Sequence, residues 1–265
     1  MSNENGKTKI AGQPSTLWRG PFLFPLALVI FLALWALLVR LGGYPSFILP
    51  SPLEVWRKLL LVAGDGTLLR HTQATLLEVF AGLALGLSVA TVLGYLLAKS
   101  YSLERLLSPY IVASQAVPIV ALAPLLVIWF GFGFWSKIVV CALIVFFPVL
   151  INTIVGLRSV ERELVDLLRS LGANRWQMLT LLEAPAALPS LLGGLRIGVT
   201  LSVVGAVVGE FVAADVGLGF LINLSRGLYD TPLMFVALFT LAAIALALYG
   251  GVVALENLLL AWKRL

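Results

Sequence analysis

The apolar stretches of this chain are too long to belong to an ordinary soluble domain. Residues 22–41 read FLFPLALVIFLALWALLVRL, with one charge at the far end. A helix needs about 20 such residues to cross the hydrocarbon of a bilayer. Comparable runs recur, and spans are expected at 21–41, 78–98, 108–130, 137–157, 190–213 and 233–255. Composition agrees, with 60% hydrophobic and 12% charged residues, against about 25% charged in soluble proteins. The expected fold is therefore all-α, a polytopic membrane protein of about six transmembrane helices. The first run is too long for a signal-peptide core and lacks a small-residue cleavage site after it, so it is expected to stay as an anchor.

The polar remainder sets the orientation. Residues 1–20 form a polar tail, and 42–77 carry Pro45, Pro50 and Pro52 without a spanning run. Within 42–77, Ser51 can cap a short surface helix with Pro52 first and Glu54 in its first turn. Six spans place both termini and the loops after spans two and four on one side. That side holds eleven basic residues against six on the other, which points to cytoplasmic termini. The net charge of +5 is spread over these loops, so it reads as a topology signal and not as a nucleic-acid surface. Cys141 and His71 are each the only residue of their kind, so one chain offers no disulfide and no histidine metal cluster.

One loop, 158–189, is much more polar than a simple connection needs. Glu161 to Leu171 reads as a short amphipathic helix, with Val165, Leu167, Leu168 and Leu171 against Glu161, Glu163, Asp166 and Arg169. Gly172 supplies a turn that a residue without Cβ adopts cheaply. A second amphipathic turn runs from Arg175 to Leu182, and Pro185 and Pro189 are expected to restart the chain as a membrane helix. Such a knob suits a membrane domain that receives force from a soluble partner.

This loop resembles the cytoplasmic coupling loop of ATP-binding-cassette importer permeases, whose pattern is EAA-x3-G-x9-I-x-LP. Asp166, Leu167 and Leu168 stand at the Glu-Ala-Ala, Gly172 at the glycine, Leu182 at the isoleucine and Ala184-Pro185 at the Leu-Pro. Only Gly172 and Pro185 match literally. QAVPIVALAPLLVIWFGFGFWSK from Gln115 to Lys137, with ILPSP, PAALPSLLGGLRIG and GEFVAADVGLGFLI, is similar to the nitrate/sulfonate/taurine branch. That branch includes importers of a thiamine pyrimidine precursor and of riboflavin.

The resemblance implies the fold of a type I importer permease in the bacterial inner membrane. It implies two copies of a separate ATPase subunit, an extracytoplasmic substrate-binding protein and a second permease chain, taken as identical. Membrane lipid surrounds the chain. ATP and magnesium are expected on the ATPase, with no cofactor, metal or catalytic residue on this chain. Glu163, Asp166, Leu167, Leu168, Gly172, Ala173, Arg175, Leu182 and Pro185 become the expected ATPase contact. Gly6-Lys7-Thr8 ends like a nucleotide-binding loop, but its first glycine position is Met1 and no strand precedes it. The substrate expected first is a vitamin of the pyrimidine-precursor or riboflavin type, with sulfonate, taurine or nitrate as the alternative.

Pathway candidates are fewer. Pro118 and Pro124 remove backbone donors from the third span and should kink or unwind it. Broken helices at membrane depth belong where backbone is buried or lines a cavity. Gln115 lies just before them. Glu210 reads as the only acid well inside a span, lining the pathway or its outer gate, against a buried structural hydrogen bond. The rival of another class, an ion-coupled secondary transporter, would need inverted repeats and more intramembrane charge. Gly82/Gly86, Gly194/Gly198 and Gly205/Gly209 suit close helix contacts, within one chain or between two.

Overall fold

The computed structural model describes residues 23–261, so the tail 1–20, the basic chain end at Lys263 and Arg264, and the side of the membrane that the termini occupy lie outside the described residues. Within them the elements are α1 (Leu23–Gly42), α2 (Pro52–Gly64), α3 (Thr67–Lys99), α4 (Tyr101–Gln115), α5 (Ile119–Phe130) and α6 (Phe134–Arg158). Then come α7 (Arg162–Ser170), α8 (Arg175–Met178), a π turn (Leu179–Glu183), α9 (Ala184–Ala213), α10 (Leu218–Gly227) and α11 (Thr231–Leu259). No strand occurs among the described residues.

Five helical stretches are long and apolar enough to cross a membrane, and α4 with α5 adds a sixth if the bent pair is one span. Several outrun the expected spans. α3 has 33 residues, about 50 Å at 1.5 Å per residue, and so begins inside the segment expected as 42–77 surface structure. The same segment holds α2, capped as its sequence suggests. The Ser51 hydroxyl accepts from Glu54 N–H, and Glu54 accepts from Ser51 N–H at 2.7 Å. A further hydrogen bond from the Ser46 hydroxyl, 2.6 Å away, with those at Ser51, holds the Glu54 carboxyl below its ordinary range. Lys58 then pairs with Asp230 at 2.5 Å, tying α2 to the start of α11.

The centre is a three-helix stack, with α6 between α3 and α9. Backbones approach so closely there that a side chain would not fit. A Cβ at Gly86 would lie 2.7 Å from the Ala142 carbonyl oxygen, and one at Gly205 would lie 2.8 Å from Cys141 Cα. The glycine pairs therefore pack helices within one chain. Lipid is as apolar as leucine, so close van der Waals contact takes the place of the hydrophobic effect in holding such helices together. Cys141, fully buried between α3 and α9, is a small packing residue. Val79, Ala90, Leu97, Val145, Val149 and Leu150 complete this core. α1 stands at the edge, its Trp35 ring 5.4 Å from Phe235 of α11.

Two expectations about breaks need correction. Pro118 does sit at a break, where α4 and α5 meet at 98°. Pro124, however, lies inside α5, which continues through it to Phe130. Nor does the chain restart at Pro185. One helical path runs from Arg175 to Ala213, 39 residues. Pro185 cannot donate to the carbonyl four residues back, and the turn before it opens to a π turn at Leu179–Glu183 instead of ending. The α8 part of the knob thus stands on α9 as a continuous helical extension.

Candidate coupling site

The loop from Arg158 to Pro185 folds as helix, turn and helix. α7 ends in a capped turn. The Ala173 N–H donates to the Leu168 carbonyl at 3.0 Å and the Gly172 N–H to the Arg169 carbonyl at 3.0 Å. This pairing of bonds closes a helix end when the residue after the cap is left-handed. Gly172 is that residue, at φ +79°. Asn174 then caps α8, its side chain accepting from the Gln177 N–H at 2.8 Å while Gln177 accepts from Asn174 N–H at 2.9 Å. The two caps, at Leu171 and Asn174, are separated only by Gly172 and Ala173, so hydrogen bonds fix the turn from both sides.

The structure brings the expected contact residues onto this knob. Glu163 lies in the first turn of α7, and Asp166 and Arg169 pair at 3.5 Å with both side chains about 70% exposed. Leu167 is exposed and Leu168 half-buried, Ala173 is half-buried and Arg175 exposed, and Leu182 and Pro185 lie half-buried in the π turn and the start of α9. Leu164, Leu171 and Trp176 add exposed apolar surface that the motif did not single out. Apolar side chains beside exposed charges, on a knob outside the spans, suit contact with a partner protein. Behind the knob, the buried Glu183 pairs with Lys99 of α3, and Arg158 forks onto Glu104 at 2.6 and 2.7 Å.

The pathway candidates do not come together. Gln115 is exposed at the end of α4, Pro118 is exposed at the break and Pro124 is exposed on α5. Glu210 lies apart from them, 1% exposed in α9. Its carboxylate accepts from the Thr75 hydroxyl at 2.6 Å and from the Gly219 N–H. The Leu218 N–H donates to the Thr75 oxygen at 2.8 Å, and His71 Nδ1 lies 3.0 Å from Gly217 N. Glu210 thus holds the turn between α9 and α10 against α3, enclosed by protein in this conformation.

Glu210 is also not the lone intramembrane acid. Glu78 of α3 is 1% exposed and pairs with Lys137 of α6, itself 6% exposed. Glu78 and Lys137 are each the first residue of an expected span (78–98 and 137–157), where a charge reads as flanking. Sequence spacing carried a signal for half of this cluster. His71, Thr75 and Glu78 recur at i, i+4 and i+7, one face of a helix. Arg196, on the same helix as Glu210, pairs with Glu256 of α11 and stacks over Tyr249, 5.6 Å from its ring centre. Among the described residues no group of histidine, cysteine or acids could hold a metal ion.

Comparison with known proteins gives this geometry a family. The family described as binding-protein-dependent transport system inner membrane component matches residues 82–260. The riboflavin transport system permease protein RibX of Chloroflexus aurantiacus is 53% identical over 239 residues, 90% of this chain and 89% of the relative. The formylaminopyrimidine transport permease protein ThiX of Halalkalibacterium halodurans is 37% identical, over 92% of this chain and 96% of the relative. Among solved structures, the inward-facing MetNI methionine ABC transporter matches with a TM-score of 0.67 at 19% identity, over 74% of this chain and 98% of that one. That likeness concerns the fold alone. The chain belongs to the binding-protein-dependent inner membrane components: it is a multi-pass permease subunit of an ABC importer.

Proposed function

We propose that two identical copies of this chain enclose the pathway of a bacterial inner-membrane importer for a riboflavin-type or pyrimidine-type vitamin. The identity of 53% over 90% of the chain to a riboflavin permease is the observation that carries the substrate reading. A separate ATPase subunit, two copies per complex, docks on the α7–α8 knobs and holds the ATP and magnesium. An extracytoplasmic binding protein delivers the vitamin to the opposite face, and the termini lie in the cytoplasm. When ATP binding draws the ATPases together, each knob moves with its ATPase. Because α8, the π turn and α9 form one continuous rod, that movement reaches the α3–α6–α9 stack directly.

The test is uptake into proteoliposomes containing the permease, its ATPase and its binding protein, with labelled riboflavin, formylaminopyrimidine and taurine compared. ATP-dependent, vanadate-sensitive uptake of one of the two vitamins is expected. Uptake of taurine alone would move the chain to the sulfonate and taurine alternative. Uptake driven by an ion gradient without ATP would refute the coupling scheme.

A further inference from the structure

Behind the knob, between the Lys99 end of α3 and the α7–α8 turn, lies a cavity of about 520 Å³. Lys99, Arg169 and Arg175 enter it from α3, α7 and α8, and Glu183 supplies its single carboxylate. Glu183 is buried and already taken by Lys99. Arg169 reaches only the exposed Asp166, a surface pair of little worth. The Arg175 guanidinium has no partner among the described residues. Tyr95 and Met178 add an aromatic and an apolar wall.

We propose that this cavity binds a phosphomonoester, with the phosphate between Lys99, Arg169 and Arg175 and the organic group against Tyr95 and Met178. Among the lining residues three cations against one carboxylate leave about two positive charges, offset only weakly by the exposed Asp166 beside Arg169, which suits a phosphate monoester of about −1.5 to −2. Arginine forks suit tetrahedral phosphate oxygens. The volume falls in the range of small-molecule sites, roughly 300–1,000 Å³, and leaves room for an organic body. A ligand held here spans α3 and the knob, so it restrains the element that the proposed ATPase contact must move. That consequence rests on the reading of the knob as the ATPase contact; the binding itself does not.

The phosphate monoester can come from the headgroup of phosphatidic acid or from a soluble ester. The experiment uses the permease–ATPase complex in nanodiscs of phosphatidylcholine alone and of phosphatidylcholine with phosphatidic acid, whose headgroup is a phosphomonoester. Both are titrated with phenyl phosphate by calorimetry. The chain is exposed at Arg175 and Arg169, so Arg175→Gln and Arg169→Gln should fold, and each should weaken binding about tenfold or more. Binding to both nanodiscs with that loss identifies a soluble-ester site. Binding suppressed by phosphatidic acid, with the same loss in phosphatidylcholine, identifies a lipid-headgroup site. Absence of binding in phosphatidylcholine nanodiscs, or binding that both variants leave unchanged, overturns the proposal. Binding to the permease alone that vanishes on ATPase assembly also overturns it, and assigns the cavity to the partner protein. Arg175 also belongs to the expected ATPase contact, so Arg169→Gln, which does not, separates the two readings: ATPase co-purification on that variant reports on coupling and calorimetry on the cavity.

Discussion

Gly172 offers a quantitative test of the knob, because its cost can be worked out from the backbone alone. The residue sits at φ +79°, and a Cβ built there meets no atom within 4 Å. Any penalty for a side chain is therefore conformational and not steric. For an ordinary L-residue the left-handed region costs about 1–2 kcal/mol, a factor of about 5–30 in the population of the capped turn. A β-branched residue pays more, whereas asparagine tolerates this region. The expected order of damage is Gly172→Asn, then Gly172→Ala, then Gly172→Val, although asparagine is larger than alanine. The assay is ATP hydrolysed per substrate imported in proteoliposomes, with co-purification of the ATPase as a second reading. Gly172→Val should uncouple hydrolysis from import or prevent docking. Normal import by Gly172→Val would show that the turn geometry is not needed. An order that follows side-chain size would show instead that a partner atom fills the space beside Gly172.

Other perturbations separate the knob from the buried cluster. Asp166→Lys replaces an exposed anion by a cation and should reduce ATPase co-purification without lowering thermal stability; unchanged association would remove Asp166 from the contact. Glu210→Gln keeps one acceptor but turns an amide N–H₂ toward a second donor, Thr75 or Gly219, which should cost about 1–3 kcal/mol and appear as a lower Tm. A normal Tm with impaired transport would return Glu210 to the pathway. Lys137→Met leaves the Glu78 carboxylate buried without its partner and should cost about 3–5 kcal/mol, while adding Glu78→Gln should recover most of that loss; no recovery in the double variant would mean that the pair is not the source. Cysteines at Ser46 and Asn174, in a Cys141→Ser background, should be labelled by impermeant reagents from opposite faces of the membrane, and labelling of both from one face would overturn the orientation.

Much of the protein was determined by sequence alone, for reasons of local physics. Apolar runs of spanning length dictate membrane helices, because an unpaired backbone group in hydrocarbon has nowhere else to bond. Ser51 with Glu54 dictates a cap, and Gly172 followed by Pro185 marks the polar knob, since each acts within one or two turns of itself. What only the tertiary structure decided depends on neighbours that are distant in the chain. Lys137 reads as a flanking charge until α3 places Glu78 beside it, and Glu210 reads as a pathway acid until Thr75 and Gly219 enclose it. The glycine pairs could have served a dimer, and the contacts with Cys141 and Ala142 assign them to one chain. Likewise a proline only removes a donor and adds a ring; whether the helix bends by 98°, continues, or opens to a π turn depends on what surrounds it, as Pro118, Pro124 and Pro185 show in turn.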